Sequence, residues 1–105
     1  MPKYLVLYRA ANTAAEQMAG ATPEQAQAGM DAWMKWAGKA GDAIVDLGAP
    51  LGGVEAGGDG GDPIGGFSIL QADGAEGVQR ALDGHPHTAM GGTIEILEFL
   101  PMPGM

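Results

Sequence analysis

The stretch "GFSILQADGAEGVQRALDGHPHTAMGGTIEILEFL", residues 66–100, reads as strand, short helix, turn and strand. Over 66–72, Phe67 and Ile69 alternate with Ser68 and Leu70, the period of two of an extended chain. Asp73 followed by Glu76 has capping-box spacing and predicts a helix over 74–83, with Val78, Ala81 and Leu82 facing inward. The last strand, 91–100, carries Ile94 and Ile96 on one side and Leu97 and Phe99 on the other. Between helix and strand lies "DGHPHTAMGG", 83–92, with both histidines of the chain, His85 and His87, flanking Pro86. Proline biases the residue before it away from helical geometry, so this segment is first a device that ends the helix and turns the chain.

Towards the N-terminus the same order recurs. "KYLVLYR", 3–9, is rich in β-formers, with Tyr4, Val6 and Tyr8 on one face and Leu5 and Leu7 on the other. "ANTAAEQMAGA" reads as a small-residue connector. Thr22, Pro23 and Gln25 open a helix with a cap, a first-turn proline and a capping box. Ala26, Met30, Trp33, Met34 and Ala37 then form one apolar stripe, with Trp36 on its shoulder and Gly41 as the stop. "DAIVDLGAPL", 42–51, is a second strand, and "GGVEAGGDGGDPIGG", 52–66, a glycine-rich loop with room for a short strand near Val54.

The order β-α-β-β-α-β, over one domain spanning residues 1–105, predicts a ferredoxin-like α+β fold with a four-stranded antiparallel sheet. Helices cover one face of such a sheet. The first and last strands are apolar on both faces, so the other face calls for a partner, most simply a second copy related by a twofold axis.

Composition narrows the function. Nineteen glycines and seven prolines sit beside 46% hydrophobic residues in periodic blocks, which argues for a folded chain with tight turns. A net charge of -8 disfavours nucleic acid and anionic membranes as partners, since both need a basic footprint. With no cysteine, thiolate catalysis, disulfides and cysteine metal sites are excluded. No apolar run approaches the roughly 20 residues of a membrane span, and a cytoplasmic protein is expected.

Four residues are candidates for chemistry. His87 and His85 can move a proton near neutrality, although their first reading is a plain turn or helix-terminating role. A metal site would want a third ligand, and none stands nearby in sequence. Asp46 interrupts an apolar strand, shares a face with Ile44 by alternation, and calls for solvent or a partner such as Arg9. Arg9, at the end of the first strand, could pair with Asp46 or hold an anion. Glu95 and Glu98 should point to opposite faces, Trp33 into the core and Trp36 into helix–sheet or dimer packing. The loop 52–66 lacks the lysine and hydroxyl of a phosphate loop, and its Asp59 and Asp62 lack a full calcium-loop motif.

"GDAIVDLGAPL" and "GHPHTAMGGTIEILEF", within a likeness covering nearly the whole chain, resemble the YCII-related (DGPF-like) small-protein family. The resemblance implies a dimeric α+β barrel built from ferredoxin-like halves. Related barrels include isomerases, dehalogenating lyases, monooxygenases and proteins without demonstrated chemistry. Some members carry a histidine near the start of the first helix, proposed to work with an aspartate; "TPEQAQAGM" has none. Two functions stay open: a cofactor-independent acid–base enzyme of isomerase or lyase type, and a non-catalytic small-ligand-binding or accessory dimeric module. In the first, His87 or His85 moves the proton, Asp46 orients or shares it, and Arg9 steadies the anion. Neither cofactor nor metal is expected.

Overall fold

The computed structural model describes residues 1–53 and 62–101; the strand expected near Val54 and the position of Asp59 lie outside them. Eight regular elements follow in chain order: β1 (Lys3–Arg9), α1 (Ala14–Gly20), α2 (Pro23–Ala40), β2 (Ile44–Pro50), β3 (Ile64–Gln71), α3 (Ala75–Ala81), α4 (Pro86–Ala89) and β4 (Thr93–Glu98). The strands form one sheet in the order β2-β3-β1-β4, every neighbouring pair antiparallel. This is the ferredoxin-like arrangement expected from the sequence. Its extents of 47 × 35 × 20 Å suit two layers, each about 10 Å deep.

The core lies between the sheet and α2, α3 and α4. Tyr4, Val6 and Tyr8 of β1 and Leu70 of β3 meet Trp36, Val78 and Leu82 from the helical side, all buried. Ile94 and Ile96 of β4 complete it, paired across the ladder with Tyr8 and Val6. Burying a Val or Leu side chain contributes about 1.5–3 kcal/mol, so so small a core leaves a narrow margin.

The sequence placed α2 correctly and its inward face incorrectly. Thr22 and Gln25 make the reciprocal capping box, and Gly41 ends the helix. Trp36, not Trp33, is the fully buried tryptophan; Trp33, Ala37 and Ala40 pack half-buried beside it. Met30 and Met34 of the expected stripe stand 59% and 54% exposed. The helix is thus turned toward its Trp36 side, because the Trp36 Nε1–H donates to the Ala81 carbonyl at 2.8 Å and fixes α2 against α3.

Three further differences are local. The expected connector contains α1, opened by a Thr13–Glu16 capping box, which buries no residue of its own. The Asp73–Glu76 box does not form; Gly74 occupies the cap position without a side-chain bond. Finally, β2 shifts register between Ile44 and Asp46, so Ile44 pairs with Leu70 and Asp46 with Ile69. Those two residues of β3 point to opposite faces, so Asp46 does not share a face with Ile44. Gly48, at φ 89°, lets this irregular strand pass so near the Phe67 carbonyl that no Cβ fits.

The opposite sheet face carries Leu5, Leu7, Phe67, Ile69 and Leu97, away from the core formed with α2, α3 and α4. Leu97 and Phe99 are 43% and 46% exposed.

Candidate functional site

The two histidines sit where β1 ends against the helices. Pro86 starts a helix rather than merely ending one: α3 stops at Ala81, and α4 begins with Pro86 at its first position. His85 is the N-cap of that single turn, its Nδ1 accepting from the His87 backbone N–H at 2.9 Å. Because Nδ1 accepts, the neutral ring carries its proton on Nε2.

The His85 ring is fully buried in an aromatic box. Tyr8 stacks on it at 4.9 Å and 24°, while Trp33 and Trp36 meet it edge-on at 4.5 and 4.4 Å. Its Nε2 has no hydrogen-bond partner among the described residues. A buried donor left so costs about 1–3 kcal/mol, which edge-to-face aromatic contacts of about 0.5–1.5 kcal/mol each offset. Burial, and secondarily the nearby His87, lower the His85 pKa to about 4, so the ring is neutral at pH 7. Tyr8 is locked below it. Its hydroxyl donates to Ser68 Oγ at 2.8 Å, and Ser68 in turn donates to the Leu47 carbonyl at 2.6 Å. Burial pushes Tyr8 up to about 12, against the smaller opposing effect of the Ser68 bond, so its hydroxyl stays protonated at neutral pH.

His87 is different. Its ring is half-buried and lies 2.7 Å, through Nε2, from the Arg9 main-chain carbonyl. A carbonyl only accepts, so Nε2 carries the proton and Nδ1 keeps a lone pair. Nδ1 has no bonding partner among the described residues. The arrangement is that of an imidazole base oriented by a fixed acceptor behind it.

Arg9 and Asp46 lie elsewhere. The Arg9 side chain leaves β1 on the open sheet face, bonding Glu95 Oε1 at 3.0 Å and the Asp62 carbonyl at 2.8 Å. The Arg9–Glu95 pair is only half-buried, within reach of solvent, and contributes about 1 kcal/mol or less. Asp46 is exposed on β2, its carboxylate accepting from the Gly48 N–H at 2.8 Å. Of the two roles open to Arg9, pairing with Asp46 does not occur, because β3 runs between β1 and β2. The two residues are separated by two strand spacings, about 10 Å, and four residues along, about 13 Å. Glu95, which the sequence left without a facing direction, is the actual partner, being diagonal to Arg9 across the β1–β4 ladder.

No cluster of three or more His, Cys, Asp or Glu suited to a metal occurs among the described residues. A concavity of about 740 Å³ at the other end of the sheet is lined by Asp42, Gln71, Asp73, Glu76 and Arg80 among others, and includes neither histidine. No helix among the described residues is long and apolar enough to cross a membrane.

No family model matches the chain, and no curated protein matches it. Among solved structures it is similar to 5-chloro-2-hydroxyhydroquinone dehydrochlorinase (TftG) from Burkholderia phenoliruptrix AC1100, determined in complex with 2,5-dihydroxybenzoquinone. That likeness has 21% identity and a TM-score of 0.48, and covers 89% of this chain and 90% of the other.

Proposed function

We propose that the chain is a homodimeric α+β barrel protein of the YCII-related type that performs cofactor-independent acid–base chemistry on a small metabolite. His87 is the general base, acting through Nδ1. The observation that carries this is the 2.7 Å contact of His87 Nε2 with the Arg9 carbonyl, which orients the ring and leaves one nitrogen free to take a proton. His85 is a positioning group in this reading: neutral, buried and bonded to the His87 backbone, it sets where the His87 ring begins. Asp46 and the Arg9 guanidinium, on the sheet face away from the histidines, would serve the dimer seam rather than the proton transfer.

A proton-transfer step here removes a proton from carbon or oxygen of the bound molecule to His87 Nδ1, leaving an enolate or phenolate, and returns it at another position. The experiment is solvent-hydrogen exchange, followed by NMR in D2O, over a panel of small enolisable and hydroxyaromatic acids. The reading expects at least one compound to exchange under wild-type protein, and His87→Gln to slow that exchange by about 10²–10⁴-fold. Equal exchange in wild type and H87Q would refute it.

A second reading, a non-catalytic ligand-binding or accessory dimer, is favoured by the separation of the histidines from the 740 Å³ concavity. Ligand shifts confined to Gln71 and Arg80, with none at His87, would select it.

A further inference from the structure

The pair Gly91–Gly92, which brings the chain into β4, is two different devices. Gly91 has φ 89°, a left-handed conformation that favours glycine. Gly92 has no positive φ, so its backbone suits any residue. What a side chain there would meet is the His87 ring in its present position: a Cβ on Gly92 would overlap Nε2 and Cε1 of His87 and lie 2.7 Å from its Cδ2.

We propose that Gly92 is a positioning residue for His87, keeping open the space in which the imidazole reaches the Arg9 carbonyl; this rests on the acid–base reading above. Three bonds surround that space. His87 N–H donates to His85 Nδ1 at 2.9 Å, Gly92 N–H donates to the His87 carbonyl at 3.0 Å, and His87 Nε2–H donates to the Arg9 carbonyl at 2.7 Å. The first two fix the His87 backbone, so the ring retreats from a new methyl group by rotating about its own side-chain bonds, which takes Nε2 off the Arg9 carbonyl. An imidazole released from that carbonyl no longer has its proton confined to Nε2, and the one-sided base is lost. Gly92 touches no reacting atom; it acts through the ring it accommodates.

The test is long-range 1H–15N NMR of the His87 ring at a pH where it is neutral, in wild type and Gly92→Ala. Wild type should show a protonated Nε2 and an unprotonated Nδ1. In G92A both signals should move toward the averaged values of mixed tautomers. Thermal unfolding provides an independent readout. G92A should lower Tm by roughly 5 °C or more in the wild-type background and leave it unchanged in the His87→Ala background, since the overlap is with the ring. An unaltered His87 tautomer in G92A, or an equal Tm loss in both backgrounds, overturns the proposal. Should G92A fail to fold, a folded H87A/G92A double variant supports it, and an unfolded double beside a folded H87A overturns it. The NMR result is independent of turnover: undiminished exchange in H87Q would end the acid–base reading and leave the Gly92 contact standing.

Discussion

At the scale of single residues, His85 couples the fold to pH. Its folded-state pKa of about 4 lies below the ordinary value of 6.5, so between those values the unfolded chain binds the proton and the folded one does not. Stability from this group is therefore complete above about pH 6.5 and is lost as pH falls toward 4, by at most about 3 kcal/mol. Chemical denaturation at pH 7 and pH 5 should show this slope, and His85→Asn, which keeps a capping side chain, should flatten it. Equal slopes for both proteins would contradict the assignment. The sequence singled out both histidines, yet not their division of labour. The box around His85 is built by Tyr8, Trp33 and Trp36, from 49 to 77 positions earlier in the chain, and no local pattern states that such residues meet.

At the scale of elements, α2 shows what periodicity carries and what it does not. Its start was legible, because Thr22, Pro23 and Gln25 act on the backbone within one turn. Its inward face was not, because Met30, Met34, Trp33 and Trp36 are all apolar, and the choice among them rests with α3 and its Ala81 carbonyl. Trp36→Phe removes that hydrogen bond while keeping a large ring, and should cost about 1–3 kcal/mol in urea unfolding. Met30→Ala with Met34→Ala, on the exposed side, should stay within about 0.5 kcal/mol per site. The reverse ranking would put the methionines in the core. The helix α1 was missed for a related reason: it has a capping box and no buried stripe, so hydrophobic pattern is silent where Thr13-x-x-Glu16 was not. The altered face of Asp46 came from a register shift in β2, which strict alternation does not anticipate. The β1 alternation, by contrast, placed Tyr4, Val6 and Tyr8 on one face, and the structure turns that face inward.

At the scale of the molecule, one sheet face forms the core with α2, α3 and α4, and the other carries Leu5, Leu7, Phe67, Ile69, Leu97 and Phe99, of which Leu97 and Phe99 are exposed. A second copy placed on this face by a twofold axis would bury the patch twice and enlarge a small core. Arg9 and Glu95, at one end of the face, would then border the seam, while His87 stays on the helical side of the sheet. Because Leu7 points away from the core, Leu7→Glu should separate the copies and leave each chain folded. Sedimentation equilibrium at micromolar concentration is the most direct measurement. A mass twice the 10.6 kDa of one chain for wild type, falling to one chain for L7E with its circular dichroism unchanged, is expected. A wild-type mass of a single chain would contradict the two-sheet assembly.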